Sequence, residues 1–367
     1  MFRRRRWFVV AVFYAFVLLH QADKLLIGPL TTPIMEEFGI NQAQMGAVSS
    51  FAIIVAAVLY PIWGYLYDRY ARAKLLALAS FIWGITTWLN ALARTYGAFL
   101  VTRASTGIDD SSYPGMYSLL ADYFEPRIRG KVYGLLQTAM PFGYMLGLVL
   151  ATALGGALGW RKVFFLTGGL GVILALVIFL GVKEVPRGRA EPEMEGVEQI
   201  PSFTFDWQVA KRILRSPSMR FILIQGFFGV FPWNVLTYWF FRYLETERGF
   251  TGAQATLTMM VAIVSLAGGY FIGGVLGDFA FRRTLRGRVL VANTAALLGM
   301  VLLVLTLSIP NQQRLLFTIS MALTGLVMSW PTSNVSATIQ DIAEPEVRST
   351  AYALTEFISN TGAALSP

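Results

Sequence analysis

The stretch Gly64-Tyr65-Leu66-Tyr67-Asp68-Arg69-Tyr70-Ala71-Arg72 decides how this chain is read, because Gly274-Val275-Leu276-Gly277-Asp278-Phe279-Ala280-Phe281-Arg282 repeats its glycine, aspartate and arginine at equal spacing. Each copy closes a long apolar run. A second pair of matches follows in the same order: Asp122, Glu125, Pro126, Arg129 and Tyr133 are echoed by Asp341, Glu344, Pro345, Arg348 and Tyr352. Two independent correspondences, similarly placed in each half, imply an internal duplication in parallel repeat.

Outward from these motifs the chain is dominated by apolar runs of roughly 20 residues, the length that crosses a hydrocarbon layer. Hydrophobic residues make up 55% of the 367 and charged residues 14%, with too little polar surface to cover a soluble core. The punctuation between runs places spans at approximately 7–31, 44–67, 75–93, 98–121, 132–155 and 163–182, then 217–244, 254–277, 289–309, 315–340 and 349–367. The expected fold is an all-α polytopic membrane protein. A polar stretch containing Pro186, Pro192, Pro201, Glu191, Glu193, Glu195 and Glu198 has a composition that disfavours a packed core. It divides the chain into a first bundle over 1–182, a linker over 183–216 and a second bundle over 217–367.

Cysteine is absent and His20 is the single histidine, which excludes disulfide frameworks, thiolate catalysis and most metal or triad enzymology. No P-loop is present and no connection is long enough for a soluble catalytic domain, so the sequence points away from an enzyme and away from any cofactor. The net charge of +9 is spread over short connections and not gathered on one face, so nucleic acid is not an expected partner. Roughly 21 Lys and Arg fall in connections on the side of the N-terminus and roughly 6 on the other, which places the N-terminus and the linker in the cytoplasm. Arg3 to Arg6 begin a span that continues past His20 without a small-residue cleavage site, which argues against a secretory signal.

Together the two halves, the charged linker and the G-x-x-x-D-R-x-x-R loop at Gly64, Asp68, Arg69 and Arg72 resemble the major facilitator superfamily of secondary transporters. The resemblance implies the major facilitator fold: two six-helix bundles (6+6), the second incomplete here because Gly143 of the fifth span corresponds to Gly362, so that the chain ends in the eleventh helix. It also implies alternating access and a latch at the cytoplasmic loop. Within the superfamily, Asp23-Lys24, the run Arg103 to Tyr113 and Val182-Lys183-Glu184-Val185-Pro186-Arg187-Gly188 are similar to spinster-like lysolipid and sphingolipid transporters. The chain differs from them in carrying Asp23-Lys24 for Asp-Arg and Asp109-Asp110 for Gly-Glu. The anion:cation symporter branch, which moves sugar acids and organic anions, shares a similar Asp-Arg and Arg…Glu pattern.

Ionisable groups in hydrocarbon cost about 2.5–3.5 kcal/mol on insertion scales, so each needs a partner, an aqueous cavity or a task. Arg103 and Asp110 are close to two helical turns apart and share one face, about 10 Å along the axis. They are expected to form one cavity wall, bridged by a third group, substrate or a first-span residue, with Asp23 and Lys24 the charged residues of that span. Asp109 is turned about 100° away and faces a neighbouring helix. Burial favours a protonated acid and a nearby guanidinium favours a charged one, and that competition suits a proton-coupled carrier. Asp110 is the expected proton site, and Arg103 either tunes it or binds an anionic substrate group. The alternative is a structural pair, Asp23 with Arg103 or Lys24 with Asp110. Glu356, at the position of Gln137 in the repeat, is a second candidate acid. His20, one turn before Lys24, reads either as a satisfied polar residue or as a proton relay. Asn234 beside Pro232, and Asn334 near Pro331, are cavity candidates at proline-disturbed helix segments.

At the cytoplasmic loop Gly64 permits close helix approach, and Asp68 is placed to accept from the N-terminal amides of a facing helix. Arg69 and Arg72 face headgroups or Asp122 and Glu125. With Arg129, Asp278 and Arg282 they make up the expected gating set. The function class expected is a secondary active transporter of a small organic solute, anionic or amphipathic, coupled to protons. It would act as a monomer in a plasma or inner membrane. A non-transporting membrane sensor and a drug or metabolite exporter of the same fold are the alternatives.

Overall fold

The computed structural model describes residues 2–27, 30–194 and 205–365. Among the described residues sixteen α-helices follow one another: α1 (Phe2–Leu26), α2 (Thr31–Phe38), α3 (Gln42–Arg69), α4 (Arg72–Leu92), α5 (Tyr96–Ser105), α6 (Gly107–Asp110), α7 (Tyr113–Tyr123), α8 (Pro126–Leu158), α9 (Trp160–Gly181), α10 (Trp207–Arg215), α11 (Pro217–Thr246), α12 (Gly252–Phe281), α13 (Gly287–Ser308), α14 (Arg314–Met328), α15 (Trp330–Ile342) and α16 (Arg348–Leu365). Eight helices among the described residues are long and apolar enough to cross a membrane, among them Gln42–Arg69, Trp160–Gly181 and Gln254–Phe281. Their exposed faces carry Leu, Ile, Val and Phe, as lipid-facing surfaces require.

The duplication extends to the helix starts. Asn41 and Gln44 form a capping box at the start of α3, and Thr251 and Gln254 form another at the start of α12. Each box satisfies amides that the first turn leaves orphaned.

By its contacts the chain forms two compact units. The first comprises residues 1–123, 142–211 and 343–357, and the second comprises residues 124–141, 212–342 and 358–367. In the first unit, α4 and α9 meet at Gly84, Gly168 and Gly171, and Ser80 donates to the Gly171 carbonyl at 2.9 Å. Small residues and hydroxyl donors are what draw helices together where lipid removes the hydrophobic drive. An apolar cluster of Leu26, Ile34, Val48, Phe99, Trp160 and Phe164 closes one end. In the second unit Phe240, Leu244, Phe250, Phe317 and Met321 form the corresponding cluster.

Two features depart from the expectations above. The span expected at 98–121 is three pieces, α5, α6 and α7. Hydroxyls compete with the backbone there: Thr106 Oγ1 donates to Arg103 O, and Ser111 Oγ to the carbonyls of Gly107 and Ile108. The disturbed carbonyls find donors on α3, with Trp63 Nε1 at 2.6 Å from Ile108 O and the Tyr60 hydroxyl at 3.3 Å from Asp110 O.

The second departure is the start of the linker, which is not a loose tether. Glu184 accepts from Arg72 Nε at 2.8 Å and from Ala73 N at 2.9 Å, capping α4. Arg187 donates to the Tyr67 carbonyl, and Gly188 N donates to Asp122 at 2.8 Å. Pro192–Met194 form a 3-10 turn. Composition misleads here because these polar groups bond to buried polar partners and need no apolar core. The linker residues 195–204 lie outside the described ones.

Candidate functional site

One turn of α1 and the broken α5–α6 segment build a buried polar cavity in the first unit. Its ionisable lining is His20, Asp23, Lys24, Arg103, Asp109 and Asp110, closed by Trp83 and Thr106. The cavity holds about 10 Å3, room for a single water-sized group. That is smaller than the roughly 300–1,000 Å3 of small-molecule pockets, so a solute requires it to widen.

Lys24 Nζ lies 2.8 Å from Asp110 Oδ2, and the Lys24 carbonyl accepts from Arg103 Nη2 at 3.3 Å. Lys24 thus contacts both the arginine and the acid, and its contact with Asp110 is also the structural pair named above as the alternative. Among the described residues Arg103 Nη1 has no hydrogen-bond partner, although the side chain is buried. Asp23 is turned to α4 and α9, accepting from Thr87 Oγ1 at 3.2 Å and Thr167 Oγ1 at 2.5 Å. Asp109 does face a neighbouring helix, and that helix is α1. Its Oδ2 is 2.6 Å from His20 Nε2, and His20 Nδ1 is 2.7 Å from the Tyr113 hydroxyl. His20 therefore joins the cavity, with Gln21 and Tyr113 bonded to one another behind it, and the spacing His20–Lys24, one turn on a single face, was the signal for His20.

At the other end of α3, Asp68 accepts from the amides of Ser349 at 2.9 Å and Thr350 at 2.6 Å, the first turn of α16. The approach is possible because residue 64 is glycine: a Cβ there would lie 2.5 Å from Ala353 Cβ and 3.0 Å from Ser349 O. The repeat does the same in the second unit, where Asp278 accepts from Gly130 N at 3.0 Å and Lys131 N at 2.7 Å.

Around each latch sits a buried ion cluster. Asp122 accepts from Arg72 Nη1 at 2.5 Å and from Arg348 Nη1 at 3.0 Å. In the second unit Asp341 accepts from Arg129 Nη1 at 2.8 Å and from Arg288. Arg288 also reaches Asp278, at 2.6 Å. The residue that matches Arg72 is therefore Arg288 and not Arg282. Arg282 is exposed, because the turn after α12 is longer and delays the start of α13. Arg69 likewise stays at the surface beside the Tyr65 hydroxyl.

The profile of one protein family, the Major Facilitator Superfamily, matches residues 11–367. The chain belongs to this superfamily. Protein spinster of Drosophila melanogaster is 29% identical over 239 residues, covering 64% of this chain and 38% of that protein. The D-galactonate transporter of Escherichia coli is 26% identical over 302 residues, covering 76% of this chain and 69% of that protein. Among solved structures, that of the human organic anion transporter MFSD10 superposes with a TM-score of 0.73 at 18% identity, covering 99% of this chain and 92% of that one. The chain spans about half or less of the length of the spinster proteins it matches. The all-α major facilitator fold expected from the sequence is thus the fold observed.

Not every nominated residue of this major facilitator chain lies in the cavity lining. Asn334 Nδ2 donates to the carbonyls of Gly273 and Trp330, each at 2.9 Å, tying α15 to α12. Glu356 is partly buried on α16 and hydrogen-bonds Tyr352 one turn earlier. The side chain of Asn234 lies outside the described residues.

Proposed function

We propose that this chain is a proton-coupled secondary transporter of a small organic anion, working by alternating access between two six-helix halves, 1–182 and 217–367, joined by a cytoplasmic linker. The observation that carries the reading is Arg103: a buried guanidinium with one unpartnered face beside an acid, Asp110, that Lys24 neutralises. An anionic group entering the cavity takes Arg103 Nη1 and competes for Lys24. The freed Asp110 is then neutralised by a proton, because an unpaired carboxylate in a low-dielectric site is costly. Substrate and proton thereby load together.

The names of the relatives agree with an acid or amphipathic solute: a D-galactonate transporter and an organic anion transporter stand among them. The paired latches at Asp68 and Asp278 serve as the cytoplasmic gate, since each is a carboxylate on helix or near-helix amides that a rotation of one half against the other breaks as a unit. Gly64, Arg72, Asp122 and Arg129 belong to that gate, with Arg288 in place of Arg282. The protein would work as a monomer in a plasma or inner membrane.

Reconstitution tests this directly. Labelled D-galactonate should exchange in counterflow across proteoliposomes, which a sensor does not catalyse, and an inward proton gradient should drive its accumulation. Asp110→Asn should abolish the gradient-driven accumulation and retain exchange. Accumulation that survives the substitution would remove Asp110 from the coupling role. If D-galactonate fails and a lysolipid exchanges, the amphipathic alternative is the correct substrate class.

A further inference from the structure

The cavity lining contains three acids, Asp23, Asp109 and Asp110, and two fixed cations, Lys24 and Arg103. A net negative charge in a buried site is expensive, and proteins remove it by pairing or by a proton. Asp110 is paired with Lys24. Asp23 is satisfied by the hydroxyls of Thr87 and Thr167. Asp109 remains: it is fully buried, its Oδ2 meets His20 Nε2, and among the described residues its Oδ1 has no hydrogen-bond partner.

We infer that the His20–Asp109 pair is a second proton site of this cavity, distinct from Asp110, which holds its proton on the imidazole in the resting protein and makes the lining electrically neutral. Every charged or titratable group around the ring fits that assignment. Asp109 at 2.6 Å and Asp110 at 3.7 Å, both from α6, face Nε2. The Tyr113 hydroxyl of α7 lies 2.7 Å from Nδ1 and accepts from Gln21 Nε2 at 2.9 Å, and its remaining lone pair can accept the N–H of a charged ring. Lys24, one turn along α1, is held on Asp110, and Arg103 of α5 is held on the Lys24 carbonyl. Phe16 stacks on the imidazole at 5.7 Å and Trp83 meets it edge-on at 5.4 Å, fixing its plane.

A neutral lining lets an anion approach Arg103, whereas the same lining without the His20 proton repels it. That consequence rests on the transport reading above; the proton itself is a property of the folded chain.

His20 is the sole histidine of the sequence, so its protonation is read without ambiguity. In full-length protein labelled with 15N-histidine in lipid nanodiscs at neutral pH, both ring nitrogens should carry protons. Asp109→Asn should convert the ring to the neutral form. A neutral ring in the unsubstituted protein, or a charged ring in Asp109→Asn, overturns the inference whether or not transport is observed. In uptake, His20→Gln should lose about tenfold or more, because it leaves Asp109 uncompensated. The double variant His20→Gln/Asp109→Asn, which cancels both charges, should recover most of that loss. A double variant as poor as the single one overturns the electroneutral role.

Discussion

Arg288→Met is expected to destabilise the protein by about 3–5 kcal/mol, and Arg72→Met by a similar amount, while Arg282→Met stays within about 0.5 kcal/mol. Arg72 and Arg288 are each 1% exposed. Each serves several acceptors: Arg72 reaches Asp122, Glu184 and the carbonyls of Ser118 and Val185, and Arg288 reaches Asp278, Asp341 and the carbonyl of Pro126. Methionine fills much of the volume, so the cost comes from the stranded carboxylates and carbonyls and not from a cavity. Arg282 is exposed and its removal strands no group in that cluster. The nine tryptophans supply the readout, since a chain without cysteine cannot report unfolding by thiol labelling. The apparent melting temperature from intrinsic fluorescence should fall for two variants and hold for the third. Equal losses at Arg282 and Arg288 would contradict the assignment.

That contrast shows what was legible in the sequence and what was not. The spans and the duplication were plain, because apolar run length and a repeated Gly…Asp…Arg spacing survive any detail of packing. The aspartate of each latch was legible for the same reason: Asp68 and Asp278 close helices that begin with matching capping boxes and so keep register. The arginine was not, because register is lost in the turn. In the first half Tyr70 and Ala71 suffice before α4, whereas in the second Arg282 to Arg286 intervene before α13. A structural match has to be counted from the start of the new helix, where Arg72 and Arg288 both sit.

The cavity shows the same limit. Arg103, Lys24, Asp23 and Asp110 were found as charges inside apolar runs. Asp109 and His20 were undervalued as members of a shared site because a continuous helix turns successive residues 100° apart. The helix is not continuous, and the break at Thr106 and Ser111 points Asp109 toward α1 while Asp110 meets Lys24. A cluster of Ser, Thr and Gly around two acids, Ser105-Thr106-Gly107-Ile108-Asp109-Asp110-Ser111-Ser112, was the available sign of that break.

Gly107→Leu should abolish uptake and lower the melting temperature, and it tests whether that break is what assembles the site. A Cβ on residue 107 would lie 2.4 Å from Ala52 O and 2.7 Å from Ala56 N. Both are backbone atoms of α3, which cannot rotate aside as a side chain would. The helix pieces must separate, and the bonds from Trp63 to Ile108 O and from Tyr60 to Asp110 O lengthen with them. The carbonyls so freed have no water in the bilayer to replace these donors, at a cost of several kcal/mol. Asp109 and Asp110 follow α6 away from His20 and Lys24, so the substitution should also remove the charged-ring signal of His20. Gly46→Ala is the matched control: nothing lies within 4 Å of its added Cβ, and alanine is the better helix former there by about 0.5–1 kcal/mol. A Gly107→Leu protein that retains uptake would show that the close approach of α3 and α6 does not hold the acids in place, and the geometry assigned to both proton sites would fall with it.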